Sequence, residues 1–171
     1  MEFIFLILIF LIILYIYIRN ENKVFNPTKI VRRNDRSHEA IIENTLIDTM
    51  HQLYINAENI IDKLNNLTHI SIPLLKKQFE TDITYGLDTN LKGFENNLDK
   101  IHEIAIRHKF DELFMTFMNR YDKILNDEWL NSKSEFIIIQ MYKNTCESLK
   151  VLINKTAYAI SLDNKERLMQ N

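Results

Sequence analysis

Residues 46–67 read LIDTMHQLYINAENIIDKLNNL, and this stretch decides the fold class of the chain. Its apolar residues recur at alternating intervals of four and three, which is the heptad spacing of one side of an α-helix. They are Leu46, Met50, Leu53, Ala57, Ile60, Leu64 and Leu67. Ile47, Tyr54 and Ile61 widen this stripe beyond a two-stranded seam. We therefore predict a helix over residues 37–67, begun by Ser37, that packs in a helical bundle.

A second helix is predicted to start at Ser71, which has the side chain of a helix cap, with Pro73 in its first turn. Apolar residues then follow every four positions from Leu75 to Leu91. Such a run shifts the apolar stripe as a stutter does in a coiled coil. Because Gly86 lies inside the run, we predict that the helix bends there rather than breaks.

The phase of the apolar stripe changes near residues 108–111, which predicts a turn, and the next helix runs to about Leu130. Ser132 followed by Glu135 has the pattern of a capping box and predicts the start of the last helix. The seam of that helix consists of Ile139, Tyr142, Cys146, Leu149, Ile153, Thr156 and Ile160. The polar end from Ser161 is expected to fray.

The chain begins with a second kind of apolar sequence, FIFLILIFLIILYIYI at residues 3–18. Sixteen residues of helix span roughly 24 Å, enough for a thin bilayer with snorkelling ends. A cleaved signal peptide is disfavoured because Glu2 makes the start acidic and no A-x-A-like site follows. A buried helix would rarely be apolar on all faces in a small domain. We therefore predict an uncleaved membrane anchor.

Six basic residues and two acidic ones follow the run, leaving a net charge of +4 over residues 19–36. The basic residues, which we predict to contact the membrane surface, are Arg19, Lys23, Lys29, Arg32, Arg33 and Arg36. The alternative is that they act only as a topology signal. Their position favours a cytosolic C-terminal part. Glycosylation sequons at Asn66 and Asn154 point the other way, to a lumenal or virion-surface orientation.

The predicted fold class is therefore all-α, with an N-terminal single transmembrane helix and an antiparallel three- or four-helix bundle with coiled-coil-like heptad packing. Residues 1–19 form the anchor, 20–36 a basic juxtamembrane tether, 37–163 the bundle domain, and 164–171 a polar tail. One extended coiled coil with partner chains is the alternative arrangement. A homo-oligomer is compatible with either arrangement.

Composition narrows the function classes. Residues 37–171 carry 15 basic and 20 acidic side chains, and this acidic balance disfavours nucleic acid as a partner. The chain has one cysteine, two glycines and two prolines, so the turn chemistry of a Gly-rich phosphate loop is missing and no cofactor is predicted. Its richness in Ile, Asn and Lys resembles proteins of AT-rich genomes.

Residues with catalytic or metal-binding chemistry are scattered. Asp48 with His51 and Asp99 with His102 have the i, i+3 spacing of di-iron ligands, but their heptad positions point outward or to the flank. His108 lies on a seam, where a helix-end or core histidine is the simpler interpretation. Cys146 is expected to be a buried structural cysteine. We therefore predict no catalytic, cofactor or metal residues.

The segment at residues 110–118 is unusually rich in Phe and Met. We predict that Phe110, Phe114, Met115 and Met118 bind a partner if they are exposed, and the alternative is that they fill the core. Trp129 has the same two interpretations.

The sequence as a whole predicts a membrane-anchored module for protein interaction or membrane organisation, and not an enzyme. Its partners would be the membrane and another protein. The alternatives are a structural membrane protein of a virion or parasite envelope, and a helical-bundle enzyme with dispersed site residues.

Overall fold

The structure is a computed structural model that describes residue 25 and residues 29–66, 71–91 and 95–170. The helices are α1 His38–Asn66, α2 Ile72–Phe79, the π-helical segment Glu80–Thr84, α3 Tyr85–Asp88, α4 Asn97–Arg107, α5 Asp111–Leu125, α6 Asp127–Asn131 and α7 Glu135–Gln170. Two-residue strands β1 (Asn90–Leu91) and β2 (Glu95–Asn96) pair antiparallel between α3 and α4. The all-α prediction is confirmed.

The predicted anchor, residues 1–19, lies outside the described residues. Within the ranges that are described, none of the helices combines the length and the apolar character that crossing a membrane requires.

Helix α1 follows the heptad prediction closely. Its predicted seam from Leu46 to Leu64 is buried, and so is the flanking stripe that contains Ile47 and Tyr54. Leu67 lies outside the described residues. The helix starts where Ser37 predicts, because the Ser37 hydroxyl accepts a hydrogen bond from the Ala40 N–H at 3.2 Å.

Helix α7 is antiparallel to α1, and polar pairs mark the contact along its length. Lys143 Nζ donates to Asn65 Oδ1, Lys150 Nζ lies 3.2 Å from Glu58 Oε1, and Asn164 Nδ2 donates to Glu43 Oε1. The numbers rise along α7 as they fall along α1, which fixes the antiparallel direction.

The predicted seam of α7 is confirmed from Tyr142 to Ile160, with Ile139 half-buried, but other faces of the helix are buried too. The buried residues outside the predicted seam are Ile138, Thr145, Ser148, Leu152, Ala157, Ala159, Ser161 and Asn164. The expectation that the chain frays from Ser161 is wrong, because the helix continues to Gln170.

Helices α2 and α5 cover other sides of α7. The Phe79 ring meets the Tyr142 ring edge-on at 5.3 Å between centroids. On α5, Arg120 donates to the Asn144 carbonyl at 3.0 Å and to the Ser148 hydroxyl. Each large apolar side chain buried in this way contributes about 1.5–3 kcal/mol, so the stability of the fold comes mainly from this core.

The run of apolar residues spaced four apart is accommodated by a π-helical turn. Its members Leu75 and Leu87 are buried, and the Tyr85 N–H bonds the Glu80 carbonyl five residues back. The wider turn holds on one face residues that an α-helix would rotate apart.

The prediction that the helix bends at Gly86 and continues is wrong, because it ends at Asp88, two residues after Gly86, and the separate helix α4 begins at Asn97. Gly86 serves instead for close approach to α1: an added Cβ would lie 2.9 Å from Leu53 Cδ2. Asn97 Nδ2 donates to the Gly86 carbonyl at 2.7 Å, so a buried amide group satisfies a carbonyl at the end of the helix.

The predicted turn near residues 108–111 is confirmed. Lys109 adopts a positive φ of 59°, and the Phe110 N–H bonds the Ala105 carbonyl at 2.9 Å. The Lys109 N–H bonds the Ile106 carbonyl, and the two bonds together form a Schellman motif that ends α4.

Two predicted boundaries before α7 are wrong. The helix expected to reach Leu130 ends at Leu125, because Asn126 accepts a hydrogen bond from the Trp129 N–H and caps the separate helix α6. Ser132 does not cap α7, since its hydroxyl donates to the Trp129 carbonyl at the end of α6. Helix α7 begins at Glu135 instead.

Candidate functional site

The segment predicted as the basic juxtamembrane tether is docked on the helices where the structure describes it. Phe25 is 6% exposed, and its ring stacks on His51 at 5.7 Å and on Tyr54 at 5.6 Å between centroids. Lys150 Nζ lies 5.0 Å from the Tyr54 ring centre, so a cation from α7 covers the same aromatic group. Phe25 is thus part of the core at the junction of α1 and α7.

Six residues later, α7 binds the backbone of the segment. The Val31 N–H donates to Ser161 Oγ at 3.0 Å, and the Val31 carbonyl accepts from Asn164 Nδ2 at 2.8 Å. Asn164 is buried and also donates to Glu43 Oε1 on α1 at 2.5 Å. One asparagine therefore links the segment, α1 and α7 through hydrogen bonds that burial makes costly to lose.

Beyond Val31 the segment is held by charged groups. Arg33 donates to Asp35 at 2.8 Å and to Glu39 at 3.1 Å, while its carbonyl accepts from Asn44 Nδ2. Hydrogen bonds from the Ser37 hydroxyl and then from Arg33 lower the pKa of Asp35 to about 2. Arg33 and Asp35 are therefore held as a charged pair at the start of α1.

The four predicted membrane-surface residues that the structure describes fall into two groups. Arg32 pairs with Asp48 at 2.5 Å and Arg33 with Asp35, so both guanidinium groups are directed at the domain itself. Lys29 and Arg36 are exposed. The remaining two, Arg19 and Lys23, lie outside the described residues.

A groove of about 160 Å³ lies between the docked segment and α7. Phe25, Lys29 and Ile30 line one side, and Asn154 and Tyr158 line the other. Tyr158 is 65% exposed. The groove is open to solvent beside the point where the chain enters the described fold.

A second cleft, of about 170 Å³, is lined by charged residues of the segment, α1, α4 and α7. Among the cations that line it, Arg33 pairs with Glu39, Lys100 with Glu103, and Arg107 with Asp163. Because these charges are already matched, the cleft joins elements of the fold rather than offering unmatched charge to a ligand.

The predicted partner-binding residues do not form one surface. Phe114 is buried in the core, and Phe110 and Met118 are half-buried against it. Met115 is 49% exposed on another side of α5. The stripe thus fills the core, and Trp129 is half-buried against the same core with Lys133 Nζ 5.6 Å from its ring centre.

The residues considered for catalysis or metal binding are likewise not gathered into one site in the described part of the chain. His102 stacks on Phe114 at 4.1 Å between ring centroids, and His108 Nε2 lies 3.0 Å from Asp163 Oδ1. Burial raises the pKa of the Cys146 thiol to about 12, which keeps it in the unreactive protonated form. Asp48 and Asp99 are exposed, as predicted. In the ranges that the structure describes, no group of three or more His, Cys, Asp or Glu could hold a metal ion.

Sequence reasoning missed Ser161 and Asn164, the two α7 residues that bind the segment. One signal was present: Asn164 lies four residues after the buried Ile160 and therefore extends the seam of α7. Phe25 carried no such signal, because an isolated aromatic residue has no period.

We compared the chain with protein-family models, curated proteins and solved structures, and none of the three comparisons gave a match.

Proposed function

We propose that this chain is a single-pass membrane protein whose antiparallel helical bundle is held against the bilayer surface and works there by binding another protein or organising the membrane. The apolar run at residues 3–18 supports the anchor. The basic residues after the run support a cytosolic position for the helices. In this proposal the domain acts through its surfaces and not through catalysis.

The observation that carries the proposal is the burial of Phe25 against α1. Phe25 lies only six positions after Arg19, the residue that closes the apolar run. At 3.3–3.6 Å per residue this connection reaches about 20 Å when fully extended. A domain attached in this way stays at the membrane surface, where a long flexible tether would let it move away.

Alkaline carbonate extraction of membranes that contain the full chain tests the anchor. We expect the wild-type chain to remain in the membrane pellet, and a variant with Leu8→Arg and Leu11→Arg to be released, because two charges in the run oppose insertion. Leu168→Arg, at an exposed position of α7, is the matched control and should stay in the pellet. Release of the wild-type chain would refute the anchor.

Glycosylation tests the proposed orientation. The sequons at Asn66 and Asn154 should remain unmodified when the full chain is expressed in eukaryotic cells. A mass decrease on endoglycosidase treatment would place the helices on the lumenal side.

The protein partner can be sought by proximity labelling from the full chain. Proteins labelled by the wild type, and lost with the Leu8→Arg, Leu11→Arg variant, would be partners met at the membrane. If the wild type and the Leu8→Arg, Leu11→Arg variant label the same set of proteins, the membrane-bound role is refuted.

A further inference from the structure

We propose that one face of the helical domain, formed by Lys29, Ile55, Lys155 and Tyr158, contacts the headgroups of an anionic lipid bilayer. We call it the Tyr158 face. The inference rests on the proposed membrane anchor and adds to it the orientation of the domain and the chemistry of the contact.

The first argument is where the chain enters the described fold. Phe25 is packed on His51 and Tyr54, and the groove beside it is lined by Lys29 and Tyr158. A connection of at most about 20 Å between Arg19 and Phe25 brings this side of α1 and α7 to the bilayer. The hydrogen bonds at Val31 hold the segment on α7, so that the connection to the membrane is not lengthened by its release.

The second argument is the chemistry of the side chains. Tyr158 is 65% exposed, and a tyrosine with an apolar ring and a polar tip suits the headgroup region. Ile55, one turn after His51, is 36% exposed. Lys155 lies one turn before Tyr158 and is exposed, so its long side chain can extend to phosphate groups.

The third argument is charge. Residues 37–171 are acidic overall, yet the nearby carboxylates are matched: Asp48 by Arg32 at 2.5 Å and Glu58 by Lys150 at 3.2 Å. Lys29 is exposed at the groove that Tyr158 also lines and, together with Lys155, gives this face an excess of positive charge. Anionic headgroups attract such a surface.

Tyr85 provides the contrast on another part of the domain. It is 74% exposed on α3, but Asp88 lies three residues after it in the same helix and Asp82 three residues before it in the π-helical turn. The two carboxylates near this tyrosine carry negative charge, which an anionic bilayer repels. Tyr85 is therefore a matched control for Tyr158.

Fluorescence quenching in proteoliposomes tests the face. Tyr158→Cys and Tyr85→Cys variants of the full chain are labelled with an environment-sensitive fluorophore and reconstituted with phosphatidylcholine, phosphatidylserine and a lipid-bound quencher. Cys146 is buried and should not compete for the label, which a sample without an introduced cysteine checks. We expect quenching at position 158 to exceed quenching at position 85 several-fold.

Equal quenching at the two positions, in a chain that resists carbonate extraction, would overturn the Tyr158 face and leave the anchor intact. If carbonate extracts the wild-type chain from the membrane, both the Tyr158 face and the anchor are overturned. A second variant with Lys29→Glu and Lys155→Glu should reduce quenching at position 158 several-fold. Unchanged quenching in that variant would overturn the contact with anionic headgroups.

Discussion

The α1–α7 pair and the described part of the preceding segment, Phe25 and residues 29–35, are both packed, but they are held by different means. Between α1 and α7, polar pairs run from Glu43 and Asn164 at one end to Asn65 and Lys143 at the other, and both helices bury apolar residues at heptad spacing. The segment has one buried ring, two hydrogen bonds at Val31 and a few ion pairs.

This difference means that the two regions should respond differently to mutation. A repeated contact is cooperative, so a cavity in the core weakens the whole domain. The segment can open by itself while the helices remain folded, and the stability lost with it is limited to its own docking free energy. Substitutions of one phenylalanine in each region can therefore separate global from local stability.

The largest effect is expected for Phe79→Ala in the core. Phe79 is 1% exposed and packs on Tyr121 and Tyr142, so its truncation should lower the free energy of unfolding by about 3–5 kcal/mol. Phe136→Ala, at a position 70% exposed on α7, should change it by less than about 0.5 kcal/mol. Chemical denaturation followed by circular dichroism measures both, and similar losses would contradict the described core.

Phe25→Ala should have a smaller effect. Because the segment can open locally, we expect a loss of about 1–2 kcal/mol, below the loss for Phe79→Ala. Lys29→Ala, an exposed position of the same segment, is the control and should behave like the wild type. A loss for Phe25→Ala as large as that for Phe79→Ala in the same denaturation experiment would show that the two regions unfold as one.

Asn164→Ala tests the polar side of the docking. It removes the donor to the Val31 carbonyl and to Glu43, which should lower the stability by about 1–2 kcal/mol and release the segment. Asn119→Ala on the exposed side of α5 is the matched control. Calorimetric melting of both variants would give equal Tm values if the Asn164 bonds were not formed.

The smallest effect concerns pH. Because hydrogen bonds from Ser37 and Arg33 lower the pKa of Asp35 from 3.8 to about 2, ionised Asp35 stabilises the fold above its ordinary pKa, and this contribution is lost as the pH falls through about 2. Asp35→Asn should therefore flatten the acid limb of the stability curve between these values. Asp122→Asn, at an exposed position of α5, should leave the curve unchanged. An Asp35 carboxyl that titrates by NMR at its ordinary pKa would contradict the pairing.

The contrast between the α1–α7 pair and the docked segment also explains what could be predicted from the sequence. The stripes of α1 and α7 were predictable because periodicity is local and repeats over several turns. The end of the helix at Asp88 was not, since it depends on the Asn97 amide meeting the Gly86 carbonyl after an intervening strand pair. Docking of Phe25 depends on residues more than twenty positions away and on no repeated pattern.

Turn chemistry was predictable only in part. The phase change near His108 located a turn correctly, while Ser132 followed by Glu135 matched a capping pattern that the structure uses differently. Several hydrogen-bonding side chains lie between Asn126 and Ser134 and compete to cap a helix, while Trp129 and Leu130 between them pack on the core.

Hydrogen exchange at the Val31 amide of the full membrane-reconstituted chain tests the docked segment most directly. The Val31 N–H donates to Ser161 Oγ at 3.0 Å, so we predict that it exchanges much more slowly than an unstructured peptide of the same sequence, and that Phe25→Ala removes this protection. Exchange at the unstructured rate in the wild-type chain would show that residues 20–36 are a free tether, and would contradict the account.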